Sequence, residues 1–170
     1  LSGQLIEAEL LSLYVSAFAR LDIPIDIKYN SRKLMSGLIL ESGVPEDLLS
    51  GVTTLIDKKD KVGETEFKIM LLEYGLTEAM ISKIISYFNC SLNELTNLFS
   101  NTENLKIKEG IEELLLLREY IVKLGIDKDC VFDSSLARGQ NYYTGNVFEV
   151  YDKKRRLTGS IGGGGRYDNM

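Results

Sequence analysis

An arginine, two adjacent tyrosines and two glycines stand together in LARGQNYYTGNVFEV, residues 136–150, just ahead of a predicted strand. Arg138 supplies five donors in a rigid plane, which suits a phosphate or a carboxylate. Tyr142 and Tyr143 supply flat apolar bodies with hydroxyl tips, which suit a planar polar ligand. The same residues also fit an arginine in a surface ion pair and two tyrosines packed on a sheet. A second segment, GSIGGGGRYDNM at 159–170, contains four consecutive glycines. A run without Cβ atoms lets a ligand approach the backbone closely. It is neither a P-loop, since no Gly-Lys-Ser/Thr follows, nor G-x-G-x-x-G, and a flexible turn after a strand is the alternative. A third patch, IDKKDKVG at 56–63, places Lys58, Lys59 and Lys61 near a helix end. There they favour the helix dipole, or touch a phosphate backbone. The basic run Lys153, Lys154, Arg155 and Arg156 reads as a solvated hairpin tip.

Composition narrows the chemistry. The 170 residues contain no His and no Trp, and only two Cys and two Pro. Without His, a Ser-His-Asp triad, a Cys-His pair and the His-containing zinc sites are out of reach. Two thiols, Cys90 and Cys130, make no four-sulfur metal site and read as reduced, buried cysteines, although one disulfide is compatible with the count. Net charge is −5, so no global basic field attracts nucleic acid. The apolar runs fall far short of the roughly 20 residues a membrane helix needs, and the N-terminus lacks the basic region of a signal peptide. The opening at Leu1, with no Met, reads as a segment of a longer protein.

Several elements are needed to position these groups. Residues 4–20 place Ile6, Leu10, Leu13 and Ala17 on one helical face, with Leu11, Tyr14 and Phe18 beside it. From Ile23 the period switches to two, which predicts a half-buried strand with Pro24 near its start or on an edge. Residues 31–125 read as helices. Ser31 caps the first of them, Pro45 opens another, Thr77 another, and Ser91 with Glu94 forms a capping box. Leu114, Leu117, Ile121 and Leu124 repeat at helical spacing before Gly125. From Val131 the chain is β-like again, with 146–151 and 156–161 bracketing a hairpin turn. The reading is α+β, with a helical excursion between strands.

Taken together, these motifs resemble the histidyl-tRNA synthetases. LARGQNYYTGNVFEV is similar to the family's first histidine-specific motif, R-G-L-D-Y-Y-T-G before a strand. GSIGGGGRYDNM is similar to the second, G-G-R-Y-D. IDIKYNSRKLMSGLI resembles the family's I-K-x-N-x-R-x-I-L-x-G segment, and LIDKKDKVG its DKLDK helix end. One departure is Gln140-Asn141 in place of Leu-Asp, which puts any role of that carboxylate in doubt.

The resemblance implies part of a class II antiparallel-sheet catalytic core interrupted by an all-helical insertion. Residues 1–30 and 126–170 would belong to the core and residues 31–125 to the insertion. Motif 1, motif 2, motif 3 and the anticodon-binding domain have no counterpart in the sequence, so the chain would lie between motifs 2 and 3. The implied reaction activates L-histidine with ATP and transfers it to tRNA(His), in a cytoplasmic enzyme whose full-length form is a homodimer. By the family pattern Arg138 stabilises charge on the reacting phosphate, and Tyr142, Tyr143 and Tyr167 bind histidine. Gly163, Gly164 and Gly165 would let the backbone lie against the bound amino acid. Lys58, Lys59 and Lys61 are the tRNA candidates. ATP with Mg2+ is the implied substrate of the full-length enzyme, with no cofactor or metal bound by this segment alone, which is expected to be inactive by itself. A non-catalytic paralogue is the rival: the regulatory subunit of an ATP phosphoribosyltransferase, or the tRNA-sensing domain of a stress kinase. The former generally lacks a long helical insertion, and the latter tends to lose the substrate-binding pattern.

Overall fold

The computed structural model describes residues 3–139 and 142–168; the Gln140-Asn141 departure lies outside the described residues. Helix α1 (Gln4–Arg20) leads into strand β1 (Ile25–Ser31), and among the described residues seven α-helices and one short 3-10 turn (Glu46–Leu48) follow. The α-helices are α2 (Arg32–Glu41), α3 (Leu49–Ile56), α4 (Lys59–Val62), α5 (Glu64–Glu73), α6 (Glu78–Phe88), α7 (Leu92–Leu98) and α8 (Leu105–Lys123). Strands β2 (Cys130–Phe132), β3 (Asn146–Asp152) and β4 (Gly162–Gly165) close the sheet. Its order is β2-β1-β3-β4, with β2 parallel to β1 and the other two pairs antiparallel.

Local chemistry sets the helix starts. The Ser31 side chain accepts from the Leu34 amide, Thr77 Oγ1 from the Met80 amide, and Ser91 and Glu94 make a reciprocal capping box. Each such cap is worth about 1 kcal/mol. Alternation in β1 buries Ile25, Ile27 and Tyr29 toward the helices. The glycines at the α2–α8 crossing have a packing reason: a Cβ on Gly110 would stand 2.5 Å from the Leu34 backbone nitrogen.

The face of α1 differs from the expected one. Ala8 and Leu11 are buried, whereas Ile6, Leu10 and Leu13 are 38%, 42% and 63% exposed. The helix is apolar around more than one face, and the side with small Ala8 is the one that lies against α8 and β1. The hairpin also differs. Residues 156–161 form bends, not a strand, and the glycine run itself pairs with β3, from Val147↔Gly165 to Val150↔Gly162. A strand without side chains has no hydropathic period to read.

Two main cores result. One joins α1, β1, β3 and α8 through Leu11, Ile27, Val150, Leu114 and Leu117. The other gathers Met35, Ile39, Val52, Phe67, Leu71 and Ile84 among α2, α3, α5 and α6. The buried residues of 31–125 are thus shared between two cores, and α8 belongs to the one under the sheet. Cys130 is buried, Cys90 is half-buried, and both thiols are free. Among the described residues no helix is long and apolar enough to cross a membrane.

Candidate active site

Helices α1 and α8 cover one face of the sheet, and the other face holds the candidate site. On β3, Phe148 and Val150 join the helix-side core, while Val147 packs with Leu136 and Tyr143 on the opposite side. Glu149 and Tyr151 follow Val147 on that side, as the period of a strand requires, and line a polar cleft of about 570 Å³. Lys28, Asp133, Arg138, Arg155 and the α3–α4 residues Asp57 and Lys61 line the same cleft.

Two alternate residues of β1, Lys28 and Asn30, and the first residue of α2, Arg32, hold the loop that delivers Arg138. Lys28 Nζ meets Asp133 Oδ2 at 2.7 Å. Asn30, wholly buried, donates from Nδ2 to the carbonyls of Ser134 and Leu136 at 3.1 and 3.0 Å. Arg32 Nη1 donates to the Arg138 carbonyl at 2.8 Å. The I-K-x-N-x-R pattern therefore reads here as a clasp: each side chain satisfies backbone or charge on the segment 133–138.

Arg138 is a fixed group. Its Nη1 donates to Glu149 Oε1 at 2.7 Å, with both side chains less than one-fifth exposed. Burial alone would lower its pKa, but Glu149 and Tyr143 outweigh burial and raise it, so the guanidinium stays charged. Glu149 also accepts from the Tyr151 hydroxyl, whose pKa burial and that carboxylate push up. Composition gave no signal for Glu149, but its alternation with Val147 and Tyr151 places it on the Arg138 side.

The glycines of β4 make room for these side chains. A Cβ on Gly163 would lie 2.6 Å from Arg138 Nη1, and one on Gly165 would lie 2.6 Å from the Tyr143 ring. Gly164 faces the other way, toward Phe148. The space beside Gly163 and Gly165 is thus filled by the protein's own arginine and tyrosine.

The tyrosines fall into one group. Tyr143 is buried, and the rings of Tyr142 and Tyr143 are 4.6 Å apart. Tyr142 and Tyr167 rings meet edge to face at 6.4 Å, and both are about half exposed. Arg138 lies 6.0 Å from the Tyr143 ring centroid. The lysines are dispersed. Lys61 lines the cleft, Lys58 is exposed, and Lys59 turns its ammonium to the Phe88 ring.

A guanidinium held by a carboxylate beside a tyrosine cluster, on the open face of a helix-backed sheet, can receive an anionic group next to a planar one. The crystal structure of histidyl-tRNA synthetase from Nostoc sp. PCC 7120 matches this fold with a TM-score of 0.93 at 27% identity, covering 100% of this chain and 42% of that one. The fold is that of the class II synthetase catalytic core. The family model described as histidyl-tRNA synthetase matches residues 2–170, and the chain belongs to that family. Histidine–tRNA ligase 1 of Bacillus cereus is 36% identical over 165 residues, which cover 96% of this chain and 39% of the relative. A Bacillus halodurans structure described as an ATP phosphoribosyltransferase regulatory subunit/histidyl-tRNA synthetase shares the fold, with a TM-score of 0.79 at 20% identity, covering 98% of this chain and 44% of that one. The chain spans about two-fifths of the length of the curated relatives it matches.

Proposed function

We propose that this chain forms the histidine-binding part of a histidine–tRNA ligase, which activates L-histidine with ATP and passes the histidyl group to tRNA(His). The observation that supports this best is the joining of the two motifs: Arg138 lies over Gly163, and Tyr143 over Gly165. Two segments separated in sequence thereby build one surface.

In the first step a histidine carboxylate oxygen attacks the α-phosphorus, the bond to the bridging oxygen breaks, and pyrophosphate leaves. Arg138 meets the charge that gathers on the reacting oxygens, and because Glu149 already holds it, little reorganisation is needed at that moment. Tyr143 and Tyr167 offer hydroxyls to the imidazole nitrogens, so an apolar side chain of similar size would leave them unpaired. Tyr142 closes the ring cluster, and Gly163 and Gly165 serve the amino acid indirectly, by making room for Arg138 and Tyr143, while Gly164 faces Phe148 and not the site. Lys58, Lys59 and Lys61 are proposed for the tRNA backbone, with Lys61 best placed at the cleft. ATP brings Mg2+ with it. The described residues contain no group of three His, Cys, Asp or Glu side chains arranged to hold a metal ion. Activity and dimerisation are proposed for the full-length polypeptide, in the cytoplasm where translation runs.

The test is Arg138→Lys in the full-length polypeptide carrying these residues. Lys keeps the charge and loses the planar fork, so histidine-dependent pyrophosphate exchange is expected to fall about a hundredfold or more. A rate within about threefold of wild type removes Arg138 from catalysis. A wild-type protein with no histidine-dependent exchange favours the regulatory paralogue instead.

A further inference from the structure

The helix-side face of the second motif carries an arginine that the proposed chemistry does not use. Arg166 lies between Gly165 and Tyr167, and by alternation its side chain passes behind the sheet, away from Arg138. Its Nη2 reaches Glu113 Oε1 of α8 at 3.1 Å, its Nη1 reaches Glu7 Oε1 of α1 at 3.5 Å, and its Nε approaches Asp168 Oδ2 at 3.4 Å. The Arg166, Glu7 and Glu113 side chains are each no more than one-fifth exposed. Glu113 is held in turn by Lys33 of α2 at 2.9 Å, and Glu7 accepts from Asn146 Nδ2.

The same residue locks the two motifs together. The Thr144 amide donates to the Arg166 carbonyl at 2.8 Å, and the Arg166 amide to the Asn146 carbonyl at 2.9 Å. Thr144 Oγ1 donates to Asp168 Oδ2 at 2.6 Å. A Cβ on Gly145 would fall onto the Arg166 guanidinium, so the glycine of T-G makes room for the arginine of R-Y-D. Tyr143 directly precedes this junction and Tyr167 directly follows it.

We propose that Arg166 is a positioning residue. It pins the Thr144-Gly145 and Arg166-Asp168 segments to α1 and α8, and so sets the spacing of Tyr143 and Tyr167 across the histidine pocket, a role that rests on the proposed function. Only a planar fork reaches carboxylates on two helices at once, so lysine is a poor substitute.

The experiment compares wild type, Arg166→Lys and Glu113→Gln in the full-length polypeptide. Glu113→Gln keeps the shape and removes one charge, so it reports even where the arginine variant folds poorly. Histidine KM is expected to rise about tenfold in Arg166→Lys and less in Glu113→Gln, with ATP KM within about twofold and kcat at saturating histidine little changed. General destabilisation would not separate the two substrates in this way. Hydrogen exchange read on peptides covering 142–148 and 163–168 should quicken in both variants, while β1 stays protected. Unchanged histidine KM in both variants overturns the proposal, whatever the exchange shows. Unchanged exchange at both peptides overturns it too. A wild-type protein that shows no histidine-dependent pyrophosphate exchange overturns the proposed function first, and this role with it.

Discussion

A methyl group added at Gly165 would stand 2.6 Å from Cδ1 of Tyr143 and 2.9 Å from Cγ1 of Val147, both in buried side chains. Neither neighbour is the free end of a flexible chain, so the strand or the ring must move. At Gly163 the nearest atom is Arg138 Nη1, the tip of a long side chain that moves aside only by leaving Glu149, and the Phe148 carbonyl oxygen follows at 3.0 Å. The two alanine variants should therefore separate stability from chemistry. Gly165→Ala is expected to cost about 1–3 kcal/mol in urea unfolding. Gly163→Ala should cost less, yet lose more pyrophosphate exchange per unit of lost stability, because it displaces the guanidinium from Glu149. Equal stability of Gly165→Ala and wild type would show that Tyr143 is not held against the strand. Such constraints are invisible in a run of four glycines: the sequence marks the positions as empty but not what fills them.

The elements were legible where side chains alternate or cap. Ser31, Thr77 and the Ser91–Glu94 pair announce helix starts, and the period of two over Ile25, Ile27 and Tyr29 announces β1. Arg138 and the tyrosine pair stood out by type, and their nearness to the glycine run became visible only with the β3–β4 register. Sequence alone points to 156–161 as the strand partner of β3, because those residues are richer in strand formers and glycine has no hydropathy to alternate, whereas the glycine run is the partner. What ends β3 is Asp152. Its carboxylate accepts from the Lys154 and Arg156 amides at 3.0 and 3.2 Å and from Arg156 Nε at 2.6 Å. The Arg156 side chain and then those amides outweigh burial and hold its pKa down at about 2, against an ordinary 3.8. A depressed carboxylate pKa means stability that is fully present above the unfolded value and lost as the pH falls through the folded one. Asp152→Asn should therefore melt below wild type at neutral pH, with the gap closing between 3.8 and about 2. Thermal melts of both proteins across that window check it; a gap independent of pH would assign the effect to shape, not charge.

At the scale of the molecule, the question is which parts open together. Residues 31–125 have helix caps of their own and look self-sufficient in sequence, but their buried side chains go two ways. On α2, Leu34 and Leu38 join the core under the sheet, while Met35 and Ile39 join the core among α3, α5 and α6. Helix α8 gives Ile107, Ile111, Leu114, Leu117 and Ile121 to the sheet side, against residues of α1, β1 and β3. Burying one such aliphatic side chain is worth about 1.5–3 kcal/mol, so α8 has far more to lose from the sheet than a capped helix gains alone. The slowest-exchanging amides of this chain should accordingly lie in β1, β3, α2 and α8, with α5 and α6 opening earlier as a smaller unit. The β4 edge should exchange sooner than β3, since among the described residues only one of its sides is paired. Native-state hydrogen exchange resolved by residue checks this order. Protection that is highest in α3–α6 and low in β1 and β3 would mean that the helices fold as a unit and the sheet only leans on them, and the sharing of α2 and α8 would then have no energetic weight.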